Sequence, residues 1–348
     1  MRLLWFLSAI LMKDHIMQSK PLFPLAAMAL FIFTALTHLG SFAQDKTTTE
    51  YPTTSVRIIV PFAPGGATDV LARLIAVELT GSLKQTFIVE NKPGGGGNIG
   101  SNQVARSKPD GLTLLMGAAG NIAINPSLFT NMPYNPLTDL APVALMGSSM
   151  NVLVVPASLP VNSVRELIAL AKKQPGKLNY SSSGNGGTLH LSGELFDITA
   201  GTKIVHVPYQ GSGPAMVDLL AGRVDMMFDN LPSSMPHIQN GLLRPLGVTA
   251  KKRSASLPNV PTIAESGLSD YEVTTWFGIF APAGTPIQIV NKLNYAINEA
   301  LKKPALISRL EGLGAEVATG TAQEFSTLVV ADSKKWADVI RKAGIVMN

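Results

Sequence analysis

Two glycine-rich segments of this chain have the sequence features of anion-binding loops. The first, Phe62 to Asp69, separates an apolar run that predicts a buried strand, Val56 to Val60, from a helical pattern with one apolar face. Thr68 or Asp69 is predicted at the N-cap of that helix. The free N–H groups and the positive dipole end of the helix then point into the loop, so it can hold a small anion without a catalytic side chain.

The same arrangement occurs again in the second half of the chain. Leu178 to Ser181 predicts a short strand, Ser182 to Gly187 has the sequence SSGNGG, and Thr188 to Phe196 predicts a helix. Two strand–glycine loop–helix junctions in separate halves of one chain suggest two lobes that face a shared cleft.

A third glycine-rich segment, Gly95 to Gly100, matches the dinucleotide-binding pattern G-x-G-x-x-G. However, Asn91-Lys92-Pro93 separates these glycines from the preceding strand, and no acidic residue ends the following strand, Thr113 to Met116. We therefore interpret the segment as a loop that lets the backbone turn sharply near the cleft.

Several titratable side chains stand near these junctions. His190 and Glu194 lie four residues apart on a predicted helix and could share a metal-binding face. No third metal ligand is near in sequence, however. We therefore expect His190 to brace the SSGNGG loop. His206 is expected at a strand end beside the cleft. Asp229, at the carboxyl end of a predicted strand, could face a ligand. Asp69 either braces its loop or, as a free carboxylate, accepts a hydrogen bond from a ligand amine or hydroxyl.

The sequence offers no covalent chemistry. The chain has 0 cysteines, it has no G-x-S-x-G nucleophile elbow, and no motif places a histidine as a base. No catalytic residue, cofactor or metal ion is therefore predicted. An exported enzyme would need a nucleophile or a metal-binding set that these residues do not supply.

Residues 1–43 are predicted to be a secretory signal peptide. Phe23 to Leu39 is apolar and follows Lys20, and Ser41-Phe42-Ala43 forms a small-x-small cleavage signal. We expect cleavage between Ala43 and Gln44; the alternative is an uncleaved membrane anchor, for which the segment is short. An exported chain without cysteine fits a bacterial periplasm.

The charge of the chain argues against nucleic acid as a partner. The formal net charge is +5 at pH 7 over 348 residues, which is too balanced for a nucleic-acid-binding protein. The basic run Lys251-Lys252-Arg253 has no aromatic partners and is interpreted as a solvated turn.

Strands and amphipathic helices alternate along the chain, which predicts parallel α/β sheets. Lobe boundaries are predicted at Gly147-Ser148-Ser149 and between Ser269 and Thr275. Lobe 1 would then comprise residues 44–149 plus 275–348, and lobe 2 residues 150–274. Two crossings between lobes make a hinge. Further strands are predicted at Phe87 to Glu90, Val152 to Val155, Ile204 to Val207, Val224 to Phe228, Leu246 to Thr249 and Gly278 to Phe280, and further helices at Val164 to Lys173, Pro214 to Ala221, Pro286 to Leu301 and Gln323 to Lys342.

Seven motifs, which follow one another along the chain in a fixed order, show a resemblance to a known family. They are VPFAPGGATD, ENKPGGGGNIG, INPSLF, YSSSGNGG followed by His190, HVPYQGSGPA, LLAGRVDMMFDNLPS and FAPAGTP. Together they resemble the periplasmic solute-binding receptors of the tripartite tricarboxylate transporter family, also called Bug receptors, from Tyr51 to about Ile345. The resemblance implies a type II periplasmic-binding-protein fold, in which two α/β lobes joined by two crossover segments surround a ligand cleft.

The resemblance also implies a function. The chain would capture a small carboxylate (a di- or tricarboxylate, an acidic amino acid or an aromatic acid) and present it, as a monomer, to membrane transporter subunits that it contacts transiently. The alternative is a periplasmic subunit that binds the same ligand and signals to a membrane kinase.

The predicted ligand-binding residues are the two loops carried over from the family and four further positions. Neither loop contains Lys or Arg, so backbone amides and hydroxyls must recognise the carboxylate. The residues are Phe62, Ala63, Gly65, Gly66, Ala67, Thr68 and Asp69 in the first loop, Ser182, Ser183, Gly184, Asn185, Gly186, Gly187 and Thr188 in the second, and Asn121, His190, Tyr209 and Asp229.

Overall fold

Strands and helices alternate along residues 51–343, the part of the chain that the computed structural model describes. The predicted signal peptide, residues 1–43, lies outside the described residues. The strands are β1 (Val56–Val60), β2 (Phe87–Asn91), β3 (Thr113–Ala118), β4 (Leu140–Pro156), β5 (Asn179–Ser182), β6 (Val205–Pro208), β7 (Met226–Asn230), β8 (Leu243–Val248), β9 (Thr274–Pro282) and β10 (Ala315–Val317). The helices are α1 (Ala67–Leu83), α2 (Asn98–Ala105), α3 (Asn125–Leu128), α4 (Pro136–Asp139), α5 (Val164–Lys173), α6 (Gly187–Ala200), α7 (Ser212–Leu220), α8 (Leu231–Gln239), α9 (Ile287–Leu301), α10 (Pro304–Gly312) and α11 (Ala322–Ala343), with short helical turns at Gly95–Gly97 and Gly120–Ile124.

The strands form a mixed sheet in the order β2-β1-β3-β9-β4-β7-β5-β6, and β8 and β10 also pair with β4. Pairing is parallel among β1, β2 and β3 and among β5, β6 and β7. The prediction of parallel sheets is wrong for the middle, where β9 is antiparallel to β3 and β4, and β4 is antiparallel to β7 and β8. The reason is that the chain passes into the second half of the sheet along β4 and returns along β9, so these neighbours run in opposite directions.

Strand β4 connects the two halves of the sheet. Its first part pairs with β9 as far as Met150, and its last residues, from Asn151 onward, pair with β7 and β8. The predicted boundary residues 147–149 lie inside β4, opposite residues 275–277 of β9 and residues 315–317 of β10. Hydrogen-bonded strands rather than loose linkers therefore join the two halves.

Apolar packing fixes the first junction. Helices α1 and α9 cover one face of the first half of the sheet, and Ile58, Ile75, Leu79 and Leu293 are buried there. Because α1 packs on the sheet that contains β1, its N-terminus is held beside the carboxyl end of β1, where the first loop lies.

Strand β1 and helix α5 have the predicted bounds, and the other predicted helices and strands are present with ends that differ by one residue or more. The sequence analysis did not predict helices α2, α3, α4, α8 and α10, strand β10 or the full length of β4. Among the helices of residues 51–343, none is both long enough and apolar enough to cross a membrane.

Candidate ligand-binding site

The first loop ends at the N-terminus of α1. The helix begins at Ala67 with Gly66 as its N-cap, so the prediction of Thr68 or Asp69 at the N-cap is wrong. Gly65 takes a φ of 92°, a conformation that favours glycine, and this turn lets the helix start earlier than the polar side chains suggested. The N–H groups of Ala67 and Thr68 lie in the first turn, where they have no acceptor within the helix.

Asp69 braces this loop from inside the helix. Its carboxylate is buried and accepts hydrogen bonds from the Gly65 N–H at 3.1 Å, from Arg73 at 2.9 and 3.1 Å, and from Asn91 Nδ2 at 3.0 Å. Burial raises the pKa of Asp69, but the hydrogen bonds from Arg73, Asn91 and Gly65 outweigh burial and hold the pKa below its usual value. The carboxylate therefore stabilises the shape of the loop.

The second loop ends at the N-terminus of α6. Gly186, with a φ of 77°, is the N-cap, and the helix begins at Gly187, one residue before the prediction. The first-turn N–H groups of Thr188 and Leu189 have no acceptor within the helix, just as in α1.

The two helix N-termini, one from each half of the sheet, meet at a cavity of about 30 Å³. The halves approach closely here, since a Cβ on Gly120 would lie only 2.9 Å from the Cα of Gly187. The predicted residues that line this cavity are Phe62, Gly66, Ala67, Thr68, Ser183, Gly187 and Thr188.

A second cavity of about 200 Å³ borders the first at Phe62 and Ser183. Gly184, Asn185 and Tyr209, also predicted, line it. Gly94 to Gly97 line its opposite side, and each of these four glycines has a positive φ. The structure therefore confirms the expectation of a sharp backbone turn near the cleft, in the segment that matches G-x-G-x-x-G.

The electrostatics of the two cavities come from the backbone. Within residues 51–343, all side chains that line them are uncharged. Each helix N-terminus carries roughly half a positive elementary charge, so α1 and α6 together match one negative charge. The same part of the chain contains no cluster of three or more His, Asp or Glu side chains arranged to hold a metal ion.

Eight predicted residues are not among those that line the two cavities, and their assignment as ligand contacts stays a prediction. Asn121 shapes the turn before the cavity: its Oδ1 accepts from the Ala118 N–H at 2.9 Å, and its Nδ2 donates to Ser101 Oγ at 2.8 Å. The eight residues are Ala63, Gly65, Asp69, Asn121, Ser182, Gly186, His190 and Asp229.

Asp229 is fully buried and faces hydroxyl groups. Ser212 Oγ donates to it at 2.7 Å and Ser234 Oγ at 2.8 Å, and Ser233 donates as well. Burial raises the pKa of Asp229 despite these hydrogen bonds. Ser212 lines the first cavity, so Asp229 is connected to the cavity indirectly, through its hydrogen bond from Ser212.

The two histidines lie beneath the second loop. His190 Nδ1 accepts a hydrogen bond from the Gly186 N–H at 3.3 Å, which confirms the expectation that His190 braces the loop. His206 was expected at a strand end beside the cleft, but it is the second residue of β6. Its ring is stacked between the rings of Tyr180 and His190, beneath the second loop.

Seven lining residues of the first cavity were not predicted. One signal was available in the sequence, since Ser212 follows a strand and Gly211 and begins α7, which makes a third strand–glycine–helix junction. Thr275 and Phe277 lie in the middle of the sheet, and no local pattern marks them. The seven are Ala118, Gly120, Leu189, Ser212, Asn230, Thr275 and Phe277.

Comparison with known proteins confirms the resemblance. A family model described as tripartite tricarboxylate transporter family receptor matches residues 71–345. The chain is 38% identical to Protein BugT of Bordetella pertussis over an aligned region of 321 residues. The aligned region covers 92% of this chain and 97% of that protein.

Solved structures have the same fold. R. palustris Rpa4515 with adipate is 42% identical, with a TM-score of 0.83, over 85% of this chain and 100% of that one. MatC from Rhodopseudomonas palustris, with bound malate, is 34% identical, with a TM-score of 0.80, over 83% of this chain and 100% of that one. The fold is the two-lobed α/β fold of periplasmic binding proteins.

Proposed function

This chain belongs to the tripartite tricarboxylate transporter receptor family, and we propose that it captures a small carboxylate between the N-termini of α1 and α6. One observation carries the proposal: two helix N-termini from opposite halves of the sheet converge on one cavity whose lining side chains, within residues 51–343, are uncharged. Backbone N–H groups with a partial positive charge are suited to bind a carboxylate.

The second cavity supports a ligand that extends beyond one carboxylate. It borders the first at Phe62 and Ser183 and offers the side chains of Asn185 and Tyr209. Adipate and malate, bound in two structural neighbours, are both dicarboxylates. The ligand class that we propose comprises di- and tricarboxylates, acidic amino acids and aromatic acids.

Capture requires the lobes to move. We assign residues 44–149 plus 275–348 to lobe 1 and residues 150–274 to lobe 2, with the paired strands β4 and β9 as the crossings. Each loop alone offers half of a site, so the closed arrangement completes the hydrogen bonds of the anion and excludes water.

The cellular role follows from the family. The chain would be exported to the periplasm with cleavage after Ala43, act as a monomer by binding alone without catalysis, and present its ligand transiently to membrane transporter subunits. The sensor alternative, in which a membrane kinase reads the ligand, has no support from these relatives.

A thermal-shift screen of the mature protein against carboxylic acids tests the function. A ligand at a hundred times its Kd adds about 2.7 kcal/mol of stability, which is a readily measured rise in Tm. At least one acid of the proposed class should raise the Tm. If nucleotides or metal ions raise it and no acid does, the proposed function is wrong.

A further inference from the structure

A stack of three aromatic rings lies directly beneath the second ligand loop, Ser182 to Gly187. The rings of His190 and His206 are stacked with centroids 4.0 Å apart, and Tyr180 lies on the other side of His206 at 4.9 Å. The three side chains come from α6, β6 and β5, so the stack joins three elements under one loop.

His206 holds the start of the loop through Ser182. Its Nε2 lies 2.6 Å from Ser182 Oγ. That hydroxyl donates to the Gly184 carbonyl at 2.8 Å and accepts from the Gly184 N–H at 3.2 Å. In the tautomer with the proton on Nε2, His206 donates to Ser182 Oγ, which leaves the hydroxyl proton for the Gly184 carbonyl. Gly184 has a φ of 137° and lines the second cavity, so this chain of hydrogen bonds ends in the ligand cleft.

His190 holds the end of the loop. Its Nδ1 accepts from the Gly186 N–H at 3.3 Å, and its Nε2 faces Glu194 Oε1 at 3.5 Å. The same Glu194 oxygen accepts from the Tyr180 hydroxyl at 2.7 Å. The carboxylate thereby favours the tautomer that keeps Nδ1 free to accept.

We propose that His206 and His190 are positioning residues for ligand binding, which hold the Ser182–Gly187 loop at its two ends through specific ring nitrogens. The proposal rests on the proposed function, because the loop that they hold is the half of the site that lobe 2 supplies. Burial, and then the neighbouring His190, lower the pKa of His206 to about 3 against the opposing effect of Glu194. His206 is therefore uncharged at neutral pH and carries one ring N–H.

Paired substitutions separate hydrogen bonding from ring packing. His206→Phe and His190→Phe keep a ring and lose the nitrogen. His206→Gln restores a donor near the position of Nε2, and His190→Asn restores an acceptor near the position of Nδ1. His237→Phe is the matched control, since His237 lies in the last turn of α8, outside the stack.

Two readouts are measured on the mature protein: hydrogen exchange of the peptide that contains residues 182–187, without ligand, and the Kd for adipate. Both Phe variants should speed exchange in this peptide and weaken adipate binding about three- to tenfold, the effect of one lost hydrogen bond. The Gln and Asn variants should stay close to the wild type, and so should His237→Phe.

Ser182→Ala provides a second, conservative variant in case a Phe variant does not fold. It should loosen the same peptide, and its effect should not add to that of His206→Phe because both remove one hydrogen-bond chain. The proposal is wrong if the 182–187 peptide exchanges as slowly in the Phe variants and in Ser182→Ala as in the wild type. It is also wrong if the Phe, Gln and Asn variants all speed exchange of this peptide equally. If wild-type protein does not bind adipate, that ligand is wrong for this chain, while the exchange measurement still decides the role of the histidines.

Discussion

The backbone N–H of Ala63 donates a hydrogen bond of 2.9 Å to the backbone carbonyl of Gln210. Ala63 belongs to the first glycine-rich loop, Phe62 to Asp69, and Gln210 lies between β6 and α7, in the other half of the sheet. Glycines permit this approach, since a Cβ on Gly211 would lie 2.8 Å from the nitrogen of Ala63, and one on Gly213 would overlap the Pro64 carbonyl oxygen. The two halves are thus in backbone contact beside the cavity, as the proposed capture of a ligand between them requires.

Gly213→Ala should prevent this contact while leaving the helix intact. Gly213 lies in α7 without a positive φ, so alanine favours the helix, but its methyl group overlaps Pro64 when the halves meet. Overpacking costs about 1–3 kcal/mol, so affinity for a bound carboxylate should fall about five- to 150-fold. Calorimetry gives the affinity, and solution scattering should show that ligand no longer reduces the radius of gyration.

Gly81→Ala is the control for Gly213→Ala. Gly81 is also a helical glycine, in α1, and an added Cβ there meets no atom within 4 Å. It should bind and close like the wild type. Equal affinity in both variants would contradict the requirement for backbone contact between the lobes.

Asp69→Asn should destabilise the fold, because it removes a carboxylate held by Gly65, Arg73 and Asn91. Hydrogen bonds to a charged group are worth about 1.5–3 kcal/mol, so the free energy of unfolding should fall by about that amount at pH 7. The pKa of Asp69 is lowered by folding, so the stability that it contributes is present above the usual carboxyl pKa of 3.8 and is lost as the pH falls below that value. Urea denaturation should therefore show the two proteins converging in acid; a constant difference would contradict this account.

Asp229→Asn should show the opposite pH dependence. Burial raises the pKa of Asp229 above its usual value of 3.8. The folded state then favours the protonated acid, so its contribution is fully present below pH 3.8 and declines as the pH rises through the folded pKa. Measured by urea denaturation between pH 4 and pH 7, the stability of the wild type relative to Asp229→Asn should fall with rising pH. A relative stability that stays constant over this window would show that the hydroxyls of Ser212, Ser233 and Ser234 outweigh burial.

Asn185→Asp tests the electrostatics of the site. Asn185 lines the second cavity, where the lining side chains within residues 51–343 are uncharged. A negative charge of nearly the same shape should repel a carboxylate and weaken binding about fivefold or more at low salt. Added salt should reduce the difference, because screening acts on the charge and not on the shape. Asn185→Leu, of similar size and without charge, should not show that salt dependence.

Local pattern predicted the two strand–glycine loop–helix junctions, because a strand, a glycine loop and a helix are each encoded by neighbouring residues. The start of α1 was misplaced, since Asp69 braces Gly65 from within the helix rather than capping it. The antiparallel middle of the sheet, and with it Thr275 and Phe277, depends on pairing between β4 and β9, which are far apart in sequence. The placement of His206 between two rings likewise depends on contacts between separate elements.

Calorimetry of the mature protein with carboxylic acids and with their uncharged amides tests the central claim most directly. The panel comprises adipate, malate, citrate, aspartate and benzoate, each paired with the amide of its carboxyl groups. We predict that at least one acid binds with 1:1 stoichiometry and that its amide does not bind, because two helix N-termini supply the attraction for a negative charge. An amide that binds as tightly as its acid, or a panel in which no acid binds, would contradict it.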